Sequence, residues 1–194
     1  YRIRFDDGSA FDYSGDPEHV KREIARFEPD EVAGYERFMK ASEAIYRVGF
    51  EQLGGRDVYD LLALRADIFV VEQRCAYLDP DGRDLDASHL LGRDGRGVLG
   101  AYARVFLSGD ASEPHRIGRV VVHAALRGTG EGRRLMREAI ALCEARGAAP
   151  IELAAQAHLE RFYASLGFMT VSAVYEEDGI DHLDLRREVR RSAP

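Results

Sequence analysis

Residues 117–132 read IGRVVVHAALRGTGEG and combine a strand pattern, a short link and a glycine-rich turn that leads into a helix pattern. Residues 117–122 are apolar and β-branched, which favours a buried strand. Beyond Glu131 the apolar residues recur with helical spacing until Gly147, at Leu135, Met136, Ala139, Ile140 and Cys143. The turn places unpaired backbone N–H groups and the positive end of a helix dipole at one point. The sequence therefore predicts a cradle for a phosphate group.

The spacing of the glycines distinguishes this turn from two common phosphate-binding loops. Gly128, Gly130 and Gly132 do not satisfy G-x-G-x-x-G, and no Gly-Lys-Ser/Thr follows the turn. The pattern Arg/Gln-x-x-Gly-x-Gly/Ala after a strand does fit, with Arg127 in its first position. This segment closely resembles the pyrophosphate-binding signature of the GNAT acetyltransferase superfamily. The alternative is a strand-to-helix loop without a ligand, which the complete strand–RxxGxG–helix context disfavours.

Composition and charge exclude several classes of protein. The chain has 194 residues, of which 45% are hydrophobic and 31% charged, as in ordinary globular domains. A net charge of −7 argues against a general nucleic-acid binder. The sequence contains no run of 18 apolar residues and no signal peptide, so we predict no membrane-spanning segment. Cys75 and Cys143 stand far apart without a CxxC motif, so we predict neither a disulfide nor structural zinc. A cytoplasmic protein is expected, with Cys143 in its core.

The chain divides into two unequal parts near Gly54-Gly55. Residues 2–13 alternate polar and apolar around Asp7-Gly8, which predicts a hairpin, and helix patterns begin at Asp16-Pro17 and at Asp30. Residues 1–54 resemble an internal piece of bacterial phytoene desaturases, in the stretches RIRFDDGSAFDYSGDPE and AGYERFMKASEAIYRVGFEQLG. They lack the FAD fingerprint, so the resemblance implies neither a flavin nor desaturase activity. A fused fragment and a lineage-specific extension are both open.

Residues 55–194 resemble the ElaA-like branch of the GNAT superfamily along their whole length. The matching stretches are VYDLLALRADIFVVEQRCAYLDPDGRDLD, AYARV, IGRVVV, LRGTGEGRRLM, AAQAHLERFYASLGF and VYEEDGIDHLDLRRE. The resemblance implies an α/β fold with a mixed central sheet flanked by helices, and Asp57 is expected to cap the first helix. Such domains normally begin with a strand before that helix. Here the desaturase-like segment stands in its place, and residues 1–5 are a candidate replacement for the lost strand.

The resemblance also implies which residues bind acetyl-CoA. The backbone of Val120, Val121 and Val122 would contact the pantetheine arm, which in this family inserts between two strands that splay apart. The second of these strands is predicted at residues 151–156, parallel to the first. The residues that would wrap the pyrophosphate are Arg127, Gly128, Thr129, Gly130, Glu131, Gly132 and Arg133. Acetyl-CoA is thus the expected co-substrate, with no metal and no flavin.

Tyr163, in the stretch ERFYASLGF, is the candidate general acid. It falls where many members of the family place a tyrosine that protonates the leaving thiolate. A phenol suits this role because its hydroxyl donates readily and stays protonated near neutral pH. The alternative is a core aromatic residue that packs beside Phe162.

The acceptor side is predicted to include the acidic loop that follows the first helix. This loop contains Asp79, Asp81, Asp84, Asp86 and His89, and its carboxylates would bind a cationic amine. Glu72 is the candidate base, because it follows the apolar residues 69–71 and would point into the cleft. Further candidate contacts to the substrate are Asp86, His89, Gln156, His158 and His182, and the turn 175–179 is expected to wall the pocket. Any single acid here could instead be a turn or cap residue, and the loop lacks the spacing of a calcium-binding EF-hand.

The sequence therefore predicts an acetyl-CoA-dependent N-acetyltransferase that moves an acetyl group to a primary amine by direct attack in a ternary complex. The alternative is a non-catalytic CoA-binding or interaction module, inactivated by loss of the first strand. The sequence does not name the acceptor amine. It also leaves the oligomeric state open, with a homodimer as one option.

Overall fold

The computed structural model describes residues 2–4, 8–12, 14, 16–37, 39, 53–75 and 77–189. At the start of the chain, β1 (Arg2–Arg4) pairs antiparallel with β2 (Ala10–Asp12), which confirms the hairpin. Helix α1 (Pro17–Phe27) follows, and the Asp16 side chain caps it by accepting a hydrogen bond from the backbone N–H of Glu18. Of the second helix pattern, residues 32–37 are helical, and most of the rest lies outside the described residues.

The first helix of the larger part, α2 (Gly55–Ala66), begins slightly earlier than predicted. Gly54 is its N-cap, and Asp57 occupies the third helical position instead, where its carboxylate accepts a hydrogen bond from the Gly54 N–H at 3.3 Å. The prediction that Asp57 is the N-cap is therefore wrong by three positions: Asp57 lies inside the helix, and its carboxylate reaches back to the cap residue. The helix then widens into a π-helical segment, Asp67–Glu72, which delivers Glu72 toward the glycine-rich turn.

A mixed sheet of seven strands forms the centre of the larger part. Its order is β3-β4-β5-β6-β9-β7, with β8 also paired to β9, and only β5 and β6 run parallel. The strands are β3 (Ser88–Arg93), β4 (Leu99–Phe106), β5 (His115–Val122), β6 (Ile151–Gln156), β7 (Met169–Thr170), β8 (Tyr175–Glu177) and β9 (Ile180–Arg187). The expectation that residues 1–5 replace the missing first strand is wrong, because residues 2–4 form β1, which pairs with β2 in a separate sheet.

One face of this sheet is packed against two helices. The main core lies between the sheet and the helices α3 (Glu131–Arg146) and α4 (Glu160–Ala164), and it includes Cys143, which is fully buried as predicted. Along β6, Ile151, Leu153 and Ala155 face this core. Because side chains alternate along a strand, the intervening residues of β6 point to the opposite face. That opposite face carries one of the two cavities described below.

Two irregularities shape β5 on the side of the candidate site. Only His115 and Arg116 at the start of β5 pair with β6, so the two strands part beyond this point. The register between β4 and β5 also shifts between Tyr102 and Arg104, and Arg119 adopts a φ of +50° there. A β-bulge of this kind inserts a residue that has no partner across the ladder. The splayed strands thus leave one edge of β5 free of β6, as the family resemblance implied.

Candidate active site

A cavity of about 630 Å³ lies beside the glycine-rich turn, and we call it the loop cavity. Seven of the ten residues predicted to bind the co-substrate line it: Val120, Val122, Arg127, Gly128, Gly130, Gly132 and Arg133. The other three do not. Val121 is buried against α2, the Thr129 hydroxyl donates to the Leu126 carbonyl, and Glu131 lines a separate recess.

The glycine-rich turn presents an open helix terminus to the loop cavity. Gly128 and Gly130 have φ values of +77° and +97°, a backbone region in which other residues are strained. No side chain caps the N-terminus of α3 at Gly130. Arg133 lies 6.0 Å from the centre of the Phe162 ring, and its guanidinium has no carboxylate partner within the described part of the chain. Free N–H groups beside an unpaired guanidinium are suited to binding phosphate groups.

Glu72 reaches the loop cavity and binds Arg127. Its two carboxylate oxygens accept hydrogen bonds from the Arg127 guanidinium at 2.7 and 2.8 Å, while Arg127 Nε donates to the Val122 carbonyl at 3.0 Å. The hydrogen bond from Arg127 lowers the pKa of Glu72. A carboxylate with a lowered pKa is a weaker proton acceptor, so this geometry favours other residues as the base.

A second cavity, of about 420 Å³, lies on the open face of the sheet, and we call it the sheet cavity. Strands β4, β5, β6 and β9 form its floor, and the segment from Phe69 to Arg83 contributes to its walls. The two cavities share five lining residues: Gln73, Val120, Gln156, Leu159 and Tyr163. The two cavities are therefore adjacent at these residues, which we call the junction.

Tyr163 stands at the junction with a free hydroxyl. The residue is 4% exposed, and its ring makes edge contacts with Phe162 and Phe168 at centroid distances of 5.0 and 6.0 Å. Its hydroxyl has no hydrogen-bond partner within the residues that the structure describes, although Tyr163 lines both cavities. Burial raises the pKa of Tyr163 to about 12. The packing therefore fixes the ring and leaves a protonated donor available to a ligand.

The acidic loop is held to the rest of the fold by arginines. Three of its aspartates bind three arginines that come from α2, β4 and β5. The pairs are Arg65–Asp79 at 2.6 Å, Arg65–Asp84 at 2.9 Å, Arg104–Asp84 at 2.9 Å, Arg104–Asp81 at 2.7 Å, Arg119–Asp79 at 2.7 Å and Arg119–Asp81 at 3.5 Å. We call these six residues the ion network. Because their carboxylates are already paired, Asp79, Asp81 and Asp84 do not form the free anionic surface that the sequence suggested.

The remaining predicted substrate residues divide between the two cavities and the loop. Gln156 lines both cavities, and His158 lines only the loop cavity. Asp86 is exposed and lines neither cavity. His89 also lines neither, because its Nδ1 bonds the Tyr102 hydroxyl at 2.8 Å and its Nε2 bonds the Asp84 carbonyl at 2.9 Å. The structure therefore brings Gln156 to the junction and leaves Asp86 and His89 outside it.

The turn between β8 and β9 reaches the sheet cavity, as expected. Glu177 and Asp178 line it, and neither carboxylate has an ion-pair or hydrogen-bond partner in the described ranges. His182 also lines it, directly opposite Gln156 in the β6–β9 register. Its Nδ1 lies 2.8 Å from the Ile180 carbonyl, so this nitrogen carries the proton and Nε2 is left as an acceptor.

Sequence reasoning missed Arg119 and Gln73. Arg119 lines the sheet cavity within the bulge, and Gln73 lines both cavities just beyond the π-helical segment. The signal for the bulge was present, since Gly118-Arg119 interrupts an otherwise apolar strand and an isolated glycine in a strand often marks a bulge. Nothing comparable in the sequence marks Gln73.

Known proteins match the part of the chain that carries both cavities. The acetyltransferase (GNAT) domain family matches residues 93–189. Protein ElaA of Escherichia coli (strain K12) is 48% identical over 141 residues, which is 71% of this chain and 92% of that protein. The crystal structure of Escherichia coli ElaA superposes with a TM-score of 0.66 at 47% identity, covering 71% of this chain and 93% of that one. An acyl-CoA N-acyltransferase from Pseudomonas aeruginosa gives a TM-score of 0.65 at 42% identity, covering 70% and 93%.

The start of the chain has a different and shorter similarity. A neurosporene-forming phytoene desaturase from Cereibacter sphaeroides is 46% identical over 61 residues, which is 31% of this chain and 12% of that protein. The similarity therefore covers a small piece of the desaturase.

Among the described helices, none has the length and apolar character that crossing a bilayer would need.

Proposed function

This chain belongs to the GNAT acetyltransferase family, and we propose that it transfers an acetyl group from acetyl-CoA to a primary amine by direct attack in a ternary complex. One observation carries the proposal: the loop cavity and the sheet cavity meet at Gln156 and Tyr163. Separate spaces that join at one point suit a reaction between two bound molecules. We further propose that residues 55–194 form the catalytic domain and that residues 1–54 are an appended segment.

The residues of the loop cavity fit the chemistry of acetyl-CoA. The N-terminus of α3 and the unpaired Arg133 would hold the diphosphate, which needs N–H donors and positive charge. The edge of β5 that has no β6 partner would pair with the amide groups of the pantetheine arm. When bound, acetyl-CoA supplies an activated acetyl thioester.

Tyr163 and His182 are the proposed proton donor and acceptor. As the amine nitrogen bonds to the acetyl carbon and the carbon–sulfur bond breaks, Tyr163 would give its proton to the departing sulfur. Burial raises the pKa of Tyr163, so its hydroxyl keeps its proton at neutral pH and can act as the donor. His182 Nε2 is the proposed acceptor for the proton that leaves the amine, since Nδ1 is held by the Ile180 carbonyl. Glu72 is the less suitable base because Arg127 lowers its pKa.

Turnover and cofactor binding are tested together. The purified chain is given acetyl-CoA and a panel of primary amines, with thiol release and acetylated product measured by absorbance and mass spectrometry. We expect amine-dependent release, and Tyr163→Phe should lower kcat by about 100-fold or more with little change in acetyl-CoA affinity. The matched control is Tyr59→Phe, since Tyr59 is 72% exposed on α2. Equal turnover in Tyr163→Phe and the wild type would refute the role of Tyr163.

The same experiment separates the enzyme from the alternative. If acetyl-CoA binds in a calorimetric titration but no amine releases its thiol, the chain is a CoA-binding module. If acetyl-CoA does not bind at all, the assignment of the loop cavity is wrong.

A further inference from the structure

We propose that the acceptor is a short linear molecule with a primary amine at one end and a carboxylate at the other, of the length of a tripeptide or tetrapeptide. The proposal rests on the proposed function and specifies the substrate class of the same site. It follows from an asymmetry in the sheet cavity. Among the described residues, the lining carboxylates without a cationic partner are Glu177 and Asp178 near the junction and Asp184 midway along the strands, whereas the arginines with N–H groups to spare lie at the far end.

Strand register separates the two ends of the sheet cavity. At the near end, Gln156 of β6 pairs with His182 of β9, beside the junction of the cavities. At the far end, Arg116 of β5 pairs with Phe106 of β4 and with Glu152 of β6. Glu152 and Gln156 are four residues apart, so the two ends are separated by about 13 Å at roughly 3.3 Å per residue.

The far end has more guanidinium groups than carboxylates. Arg83 lies 4.6 Å from the centre of the Phe106 ring and has no carboxylate partner among the described residues. Among the described residues, the one carboxylate that pairs with Arg116 is that of Glu152, at 3.3 Å, and Arg186 also pairs with that carboxylate at 3.1 Å. The planar fork of an arginine suits a ligand carboxylate because two N–H groups can donate to its two oxygens. This end therefore fits the carboxylate of an acceptor.

The near end has the opposite character. Glu177 and Asp178 line the cavity there without a cationic partner in the described residues, and they would attract the protonated form of an amine. His182 and Tyr163 stand beside the junction, where that amine must lose its proton and attack. An acceptor with separated charges thus complements both ends in one orientation.

The separation of the ends sets the length of the acceptor. An extended chain spans about 3.3–3.6 Å per residue, so three or four residues cover about 13 Å. A single α-amino acid is too short to reach both ends. The cavity of about 420 Å³ also lies within the size range of sites for small ligands.

The test compares peptides that differ only in the far charge. With saturating acetyl-CoA, kcat/KM is measured for tetra-alanine as the free acid, for its C-terminal amide and for alanine alone. We expect the free acid to exceed the amide by roughly 10- to 100-fold, the usual range for a hydrogen-bonded charge. Arg83→Gln and Arg116→Gln should each reduce this ratio. Arg137→Gln, on the exposed side of α3, should preserve the ratio of the wild type.

Each remaining outcome overturns a defined statement. Equal kcat/KM for the free acid and the amide would refute the carboxylate end while leaving the acetyltransferase function in place. Equal use of alanine and tetra-alanine would refute the length. Absence of thiol release with every amine, despite acetyl-CoA binding, would refute the proposed function itself.

Discussion

Replacing Asp79 by asparagine tests whether the ion network is a structural element. The Asp79 carboxylate accepts a hydrogen bond from Arg65 Nε at 2.6 Å and another from Arg119 Nε at 2.7 Å. Asp79 is 5% exposed and Arg65 is fully buried. Asparagine keeps the shape of the side chain but removes its charge, so both guanidinium groups lose a charged partner.

The loss of unfolding free energy in Asp79→Asn depends on the contacts that Arg65 keeps in the variant. Removing one partner of a buried ion pair typically costs 3–5 kcal/mol, because the other charge stays buried. In Asp79→Asn, Arg65 still contacts Asp84 at 2.9 Å and the main-chain carbonyl of residue 79 at 3.1 Å. We therefore expect the lower end of that range, about 3 kcal/mol of unfolding free energy. For a chain of this size such a loss lowers Tm by about 6–12 °C.

Urea unfolding at neutral pH, followed by circular dichroism, measures this loss, and the acetyltransferase assay is run on the same samples. The matched control is Asp86→Asn, an exposed acid in the same loop, which should change the unfolding free energy by less than about 0.5 kcal/mol. If Asp79 binds the acceptor instead, Asp79→Asn will raise KM and leave stability intact. A loss below about 1 kcal/mol would refute the structural role.

Three further predictions concern single charges. Arg133→Gln should weaken acetyl-CoA binding by roughly 10- to 100-fold in a calorimetric titration, and an unchanged affinity would contradict its phosphate role. Glu72→Gln should tighten acetyl-CoA binding about 5-fold by releasing Arg127, whereas a large fall in kcat would restore Glu72 as the base. Burial alone would raise the pKa of Asp81, but hydrogen bonds from Arg104 and a backbone N–H hold it at about 2. Because the folded pKa lies below the unfolded value near 3.9, Asp81 should stabilise the fold by about 2 kcal/mol above pH ~4. This stabilisation should decline below pH ~4 and be lost as the pH falls through 2, so between pH 5 and 2.5 the wild type should lose more unfolding free energy in urea than Asp81→Asn does.

Local patterns predicted the elements around the glycine-rich turn well. The strand at 151–156 and the helix that ends at Gly147 have the expected bounds, since periodicity and end signals act over a few residues. The end of the chain was predicted less well. We expected residues 175–179 to form a turn, but residues 175–177 form strand β8, which pairs with β9, as β7 does at a different position along it. Such pairing depends on a distant strand that local patterns do not specify.

The acidic loop shows why the acceptor side was harder to predict. In the sequence, the aspartates of this loop outnumber its single arginine, Arg83, so the loop looks like a free anionic surface. Its partners Arg65, Arg104 and Arg119 come from three separate elements, and only the tertiary fold brings them to the loop. The same applies to the pairing of Glu72 with Arg127, which are 55 residues apart. Charge in a sequence indicates an available group only where no distant partner neutralises it.

The bulge at Arg119 connects the ion network to the reaction site. A left-handed backbone costs a residue other than glycine about 1–2 kcal/mol, so Arg119 needs compensating contacts. Asp79 supplies an ion pair at 2.7 Å, and the rings of Phe69 and Tyr77 lie 5.9 and 5.6 Å from its guanidinium carbon. The next residue, Val120, lines both cavities. The paired charges of the loop therefore hold the bulge that shapes the junction, and under the proposal above the acceptor is recognised by the lining charges that have no partner among the described residues.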